Sequence, residues 1–181
     1  TSVEKALSIG QQADLPILFD FEPKPSRRGF PERSYREFVL ERARPGDIVT
    51  HCYALRYPVI QKGGRLNPDV LKAQKRGVKF DLGHAGRSFV YRAIVPAIEQ
   101  GFLPDAISSA LFNVTPSTTG ISLTNIMSKF LSMDVPLEEI IRRTTVNPAR
   151  IIYHPELGSL SVGADADIAV LEMARGKFSY R

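Results

Sequence analysis

Cysteine and long hydrophobic runs are both scarce in this sequence. Cys52 is the single cysteine among 181 residues, so no internal disulfide can form and nothing suggests an oxidising compartment. The longest apolar stretches, such as LPILFDF at 15–21, fall well short of the roughly 20 residues that a membrane-spanning helix needs. The sequence therefore predicts a cytoplasmic protein without a membrane partner.

Several functional signatures are missing as well. The sequence contains no GxSxG elbow for a serine nucleophile and no glycine-rich phosphate loop. The net charge is +5, but the basic residues are scattered, and their densest cluster, KPSRRGFPER at 24–33, is interrupted by prolines. This cluster does not form the interleaved basic and aromatic pattern of a base-stacking platform, so no nucleic-acid partner is predicted.

A repeated pattern of short apolar runs organises the chain. Four segments share a polar or Gly/Pro break, an apolar run and a polar residue near its end: LPILFDF (15–21), GDIVTHCY (46–53), GVKFDLGH (77–84) and LPDAISSAL (103–111). Helix-like stretches at 33–46, 67–77 and 88–101 separate them. Asn67 is the expected N-cap and Gly77 the stop of the second helix, and Pro96 is expected to bend or divide the third.

Continuous apolar strands that alternate with helices predict an α/β fold with parallel strands, either a doubly wound sheet or a (β/α) barrel. The barrel is favoured because Asp20, His51 and His84 all follow apolar runs, and barrels gather their chemistry at the carboxyl ends of their strands. Four strand-helix units make half of a TIM-type barrel. We expect residues 1–155 to be such a half, entered partway through the fold, and 156–181 to be the return segment of a small β-sandwich. Open sheet edges then predict a homo-oligomer or a missing N-terminal half.

Histidines at a barrel mouth predict a metal site. Neutral imidazole binds zinc and similar ions, and a bound ion turns water into a nucleophile for hydrolysis. His51 and Asp20 are the candidate ligands, although Asp20 could instead pair with an arginine and a histidine at a strand end can be purely structural. Asp81 is expected to orient a neighbour by hydrogen bonding, and Cys52 to pack in the core because it alternates with His51.

Five stretches of the sequence together resemble the amidohydrolase superfamily of metal-dependent hydrolases, in its deacetylase, D-aminoacylase and dihydroorotase-like branch. They are RPGDIVTHCY, GVKFDLGHAGRSF, GFLPDAIS, MSKFLSMDVPLEEIIRRTTVNPAR and LGSLSVGADADIAVLE. The resemblance implies the C-terminal half of a barrel, from the fifth strand to the eighth. It also implies a small-molecule substrate whose amide or cyclic amide C–N bond is hydrolysed with zinc or another divalent metal.

The resemblance also assigns residues. His51 matches a histidine metal ligand and His84 a histidine on the substrate side, whereas Asp20 stands where the family usually has a histidine ligand. Ala110 and Phe112 stand where the family has its catalytic aspartate and a histidine, so the catalytic residue is unknown. Alanine offers neither a lone pair nor a proton. The site is therefore expected to be degenerate, with weak or no activity alone and a metal that can be absent; a non-catalytic remnant that binds a ligand or a partner is the alternative.

Overall fold

A computed structural model describes residues 2–21, 34–84, 88–110 and 122–178. Parallel strands form the centre of this structure. Strands β1 (Leu18–Phe19), β2 (Ile48–Val49) and β3 (Lys79–Phe80) pair side by side in that order, all parallel. Parallel bridges join Asp81 to Ala106 and His84 to Ser109, which adds a fourth chain segment beyond β3. The predicted order of four parallel apolar runs is confirmed.

Helices precede, separate and follow the strands along the chain. They are α1 (Ser2–Gln12), a π-helix (Arg36–Leu40), α2 (Pro68–Lys75), α3 (Tyr91–Glu99), α4 (Leu123–Leu131), α5 (Leu137–Thr144) and α6 (Val146–Ile151). The predicted limits of α2 are confirmed: the Asn67 side chain accepts a hydrogen bond from the backbone N–H of Asp69, and Gly77 follows the helix with φ of +97°.

Two helix predictions differ from the structure. The sequence predicts a full helix over 33–46, but the regular part of this stretch is the five-residue π-helix. In this short helix the buried residues are the adjacent Val39 and Leu40. They replace the longer apolar stripe that a full amphipathic helix would bury. Pro96 lies inside α3, which remains a single helix. The proline removes one backbone donor without ending α3, so the expected division is wrong, whereas the alternative, a bend at Pro96, stays a prediction.

The two faces of the sheet differ in burial. Phe19, Val49 and Phe80 face the helices and are buried with exposed fractions of 8%, 1% and 1%. Cys52 joins the same core, as predicted. The opposite face carries Leu18, which is 58% exposed, beside Ile48, which is 8% exposed. A cavity of about 200 Å³ lies on this inner face, lined in part by Leu18, Ile48, Ala106 and Ile152. The inner face is the side that a closed barrel would bury.

The C-terminal segment is extended and exposed. Residues 156–178 form no strand, and Val162 and Val170 are fully or almost fully exposed. A strand requires a backbone partner for its N–H and C=O groups, and in the described ranges this segment makes only local backbone hydrogen bonds. The predicted β-sandwich is therefore not confirmed and stays a prediction. In the described residues no helix combines the length and the apolar character needed to cross a membrane.

Candidate functional site

A buried carboxylate joins three neighbouring segments near their carboxyl ends. Asp81 accepts a hydrogen bond from the Thr50 hydroxyl and another from the Ser108 hydroxyl, each at 2.6 Å. The Ser108 oxygen also accepts from the backbone N–H of Gly83 at 3.2 Å. The expectation that Asp81 orients a neighbour is met with hydroxyl groups rather than with a histidine. These bonds fix the spacing of the segments that carry His51 and His84.

His51 directly follows Thr50, where its backbone adopts the left-handed region with φ of +59°. This conformation is rare for a residue other than glycine and is concentrated at functional sites. The ring nitrogen Nδ1 lies 2.6 Å from the carbonyl oxygen of Gly83. Because a carbonyl can only accept, Nδ1 carries a proton, and in the neutral ring Nε2 presents a lone pair. A backbone carbonyl in this position is the usual partner of a metal-binding histidine.

Gly83 is the residue that makes room for the His51 ring. A Cβ atom at Gly83 would lie 2.3 Å from the Thr50 hydroxyl oxygen and 2.8 Å from His51 Nδ1. The φ of Gly83 is +51°, which also favours glycine. The turn in GVKFDLGH therefore leaves space for the His51 ring in addition to reversing the chain.

Asp20 lies beside the free nitrogen of His51. Its Oδ1 atom is 3.8 Å from His51 Nε2, 3.5 Å from Nη2 of Arg56 and 3.4 Å from the Tyr57 hydroxyl. The Asp20 side chain is 60% exposed, whereas that of His51 is 11% exposed. Burial raises the pKa of Tyr57 to about 12, so the phenol stays protonated and can donate. Asp20 thus lies close to both residues that its two sequence-based alternatives require, the candidate ligand His51 and an arginine, Arg56.

His84 lies deeper and faces another group. Its Nε2 atom is 3.0 Å from Nζ of Lys129, and its ring stacks on Phe89 with centroids 4.7 Å apart. Burial, together with the nearby charge of Lys129, lowers the pKa of His84 to about 4, so the imidazole is neutral at pH 7. The Nδ1 atom of His84 is buried without a hydrogen-bond partner in the described part of the chain.

Lys129 is the site-adjacent residue that sequence reasoning missed. It is 2% exposed on α4, and burial lowers its pKa. Its position gives a signal in retrospect: Ile126 and Phe130 are buried on α4, and Lys129 is three residues after one of them and next to the other. Helical periodicity therefore puts Lys129 on the apolar face. A lysine on a buried helix face indicates a partner inside the fold.

The described residues partly fit a divalent metal. His51 Nε2 and the Asp20 carboxylate are adjacent, and both are groups that zinc accepts. Within the described ranges, no group of three or more histidine, cysteine or acidic side chains is assembled for a metal. Ala110 contributes no donor, Nε2 of His84 is next to Lys129, and Phe112 lies outside the described residues. The cluster thus offers two candidate ligands, whereas a zinc site normally needs at least three.

Several known proteins are similar to this chain in sequence or in fold. No family model matches the sequence. A curated deacetylase from Brucella anthropi is 36% identical over 146 residues, which are 80% of this chain and 36% of that protein. A crystal structure of an adenine deaminase shares the fold with a TM-score of 0.78 and 23% identity, covering 91% of this chain and 44% of that one. A dihydroorotase structure gives a TM-score of 0.68 at 30% identity, covering 85% of this chain and 40% of that one.

These comparisons agree with the sequence motifs and with the parallel sheet. The chain spans a little over a third of the curated relative that it matches and less than half of each solved structure. The deacetylase, the adenine deaminase and the dihydroorotase belong to one group of hydrolases that share a barrel fold. By sequence and by fold, the chain belongs to the amidohydrolase superfamily.

Proposed function

We propose that this chain forms the C-terminal half of a metal-dependent amidohydrolase barrel that hydrolyses an amide or cyclic amide C–N bond of a small molecule. The observation that carries the proposal is the Nε2 lone pair of His51 facing the Asp20 carboxylate at 3.8 Å. Two acceptor groups side by side favour a cation between them. The deacetylase from Brucella anthropi, at 36% identity, supports the bond type.

Zinc or another divalent ion is the proposed cofactor, held by His51 and Asp20 together with donors from the rest of a longer protein. Such an ion, when bound, lowers the pKa of water and supplies a nucleophile at neutral pH. The chain's own residues have defined tasks. His51 is held by Gly83, Asp20 offers an exposed carboxylate, and His84 lies on the substrate side as a neutral ring.

The same cluster supports weak or no hydrolysis by this chain alone. A hydrolase of this type needs a base beside the metal. Ala110 lies at the end of the fourth parallel segment, where its methyl side chain can neither bind metal nor move a proton. Asp81, the nearest buried carboxylate on the neighbouring segment, already accepts from two hydroxyls. The catalytic residue therefore stays unassigned.

A non-catalytic descendant that binds a ligand or a partner is the second candidate. One observation favours it: the Arg56 guanidinium lies 3.5 Å from Asp20 Oδ1, where it provides positive charge without a metal. If Arg56 satisfies Asp20, the cluster needs no ion. The two candidates differ in one measurable property, which is the affinity for a divalent metal.

Metal titration of the purified chain, followed by calorimetry, separates the candidates. Because this chain supplies two of the ligands, the hydrolase proposal expects weak but saturable zinc binding at one site per chain, with at least about tenfold weaker binding for His51→Gln and for Asp20→Asn. The exposed His154, whose Nδ1 is 2.8 Å from Glu156, provides a matched control in His154→Gln. Absence of saturable zinc binding, or equal loss in all three variants, favours the non-catalytic candidate.

A gain-of-function variant tests the degenerate position directly. Ala110→Asp restores a carboxylate at the end of the fourth segment and is expected to tighten zinc binding by about tenfold or more. Ser109→Asp introduces the same charge one residue away, on the opposite side of the chain because neighbouring side chains alternate. Equal effects of the two substitutions would mean that general charge, and not the site, attracts the ion.

Assembly is part of the proposal. The exposed Leu18 and the 200 Å³ cavity on the inner face support a partner that covers this face, either a second copy or another part of a longer protein. The buried free thiol of Cys52 is compatible with a reducing, cytoplasmic setting. Light scattering after size exclusion is expected to give a mass above the 20.1 kDa monomer. A stable monomer with the native helix content would contradict self-assembly.

A further inference from the structure

A buried cation on α4 contacts His84. Lys129 is 2% exposed, its Nζ atom is 4.9 Å from the centre of the Phe89 ring, and its hydrogen-bond partner is Nε2 of His84. In the described ranges no acidic side chain forms an ion pair with it. The stretches that directly follow His84 and Ala110 in sequence, 85–87 and 111–121, contain neither Asp nor Glu. The positive charge therefore acts on His84.

The contact with Lys129 determines which nitrogen of His84 carries the proton. A lysine ammonium has donors only, so Nε2 must accept and Nδ1 must bear the hydrogen. The Phe89 ring, 4.7 Å away and tilted by 23°, fixes the plane of the imidazole. The Nδ1–H group is buried and has no acceptor among the described residues. A buried donor without a partner indicates a group that a ligand can satisfy.

We propose that Lys129 locks His84 as a hydrogen-bond donor, and that the Nδ1–H of His84 binds an anionic oxygen of a small-molecule ligand, of the kind that a carboxylate carries. Lys129 is a positioning residue in this arrangement because it acts through the ring. Its positive charge polarises the imidazole toward a stronger Nδ1–H donor and opposes protonation of Nε2. His84 therefore acts as a donor and not as a base.

This inference rests on the proposed function only where it names a substrate-side ligand. The tautomer follows from Lys129 and Phe89 alone, and neither belongs to the His51 and Asp20 cluster. A neutral imidazole as donor agrees with the lowered pKa of His84, about 4, although the hydrogen-bond geometry carries the argument. A carbonyl oxygen would gain less than an anionic one, because charge-assisted hydrogen bonds are roughly twice as strong as neutral ones.

Nitrogen NMR of the histidine rings tests the lock on the full chain at pH 7. With three histidines in the sequence, the ring signals can be assigned by single substitutions. The expected spectrum has His84 with a protonated Nδ1 and an unprotonated Nε2. Lys129→Met is expected to allow the other tautomer, and Lys129→Arg to restore the first. Lys72→Met, a 70% exposed site on α2, is the matched control and should change nothing.

A probe pair tests the ligand class. Acetate is expected to shift the Nδ1–H signal of His84 in a saturable way, whereas acetamide, similar in shape but neutral, should produce a much smaller shift. A protonated Nε2 in the wild-type spectrum would overturn the lock, even if Lys129→Met fails to fold. Equal shifts with acetate and acetamide, or none with either, would overturn the anionic ligand. These NMR experiments measure neither zinc binding nor hydrolysis. A failure of the proposed function would therefore be detected separately, by the zinc titration.

Discussion

The carbonyl oxygen of Gly83 lies 2.6 Å from Nδ1 of His51, and this contact leaves Nε2 of His51 as the free nitrogen beside Asp20. The two residues come from neighbouring parallel segments. His51 reaches the carbonyl because its backbone takes φ of +59°, and Gly83 accepts the ring because it has no side chain. The relationship fixes the orientation of the candidate ligand and places a proton on its Nδ1 atom.

Gly83→Ala tests this relationship. The added methyl would lie 2.3 Å from the Thr50 hydroxyl oxygen, so we expect destabilisation by about 1–3 kcal/mol from overpacking, in addition to about 1–2 kcal/mol for the left-handed backbone. Gly101→Ala is the matched control, because Gly101 has φ of +82° and no atom within 4 Å of the place that an added methyl would occupy. It should show only the backbone cost. Urea unfolding measures both, and equal losses would show that His51 does not crowd Gly83.

Asp81→Ala tests the buried carboxylate. The Thr50 and Ser108 hydroxyls would lose their acceptor, and each buried donor left unsatisfied costs about 1–3 kcal/mol. The expected result is a clear fall in the free energy of unfolding, whereas Asp165→Ala, in the exposed C-terminal segment, should change it by less than about 0.5 kcal/mol. Combining Asp81→Ala with Thr50→Val and Ser108→Ala should recover part of the loss. If the combined variant recovers none of the stability, the Thr50 and Ser108 hydroxyls do not depend on Asp81 as their acceptor.

The pH dependence of stability tests the environment of His84. Its pKa is about 4 in the folded chain and about 6.5 when unfolded, so the unfolded state binds more protons between these values. Stability due to a neutral His84 is fully present above pH 6.5 and is lost as the pH falls toward 4. The free energy of unfolding should therefore decline from pH 7 to pH 5.5, before most carboxylates titrate.

The control for this effect is a comparison of variants. His84→Gln should reduce the slope between pH 7 and pH 5.5, and the exposed His154→Gln should retain it. Urea unfolding at four pH values across this window gives the slopes. An unchanged slope in His84→Gln would mean that His84 titrates normally in the folded chain.

Much of the framework could be predicted from sequence because it depends on local patterns. Continuous apolar runs indicate the four parallel segments, and Asn67 and Gly77 indicate the limits of α2. The positions of Asp20 and His51 at strand ends are also accessible in this way. These features are encoded within a few residues, by side-chain periodicity and by capping.

The remaining features depend on contacts between distant residues. The left-handed backbone of His51 and the burial of Lys129 both arise from packing against residues about 30 to 45 positions away. The β-type pattern around Ile168 and Val170 predicts a strand, but strand formation requires a partner backbone that the described residues do not supply. Local propensity alone cannot provide that partner.

Anomalous diffraction at the zinc edge, from crystals of the chain soaked with zinc, tests the account most directly. The account predicts a peak within bonding distance of both His51 Nε2 and the Asp20 carboxylate, with Nδ1 of His51 still on the Gly83 carbonyl. A peak elsewhere, or none while the Arg56 guanidinium remains on Asp20, would contradict a metal site at this end of the parallel strands.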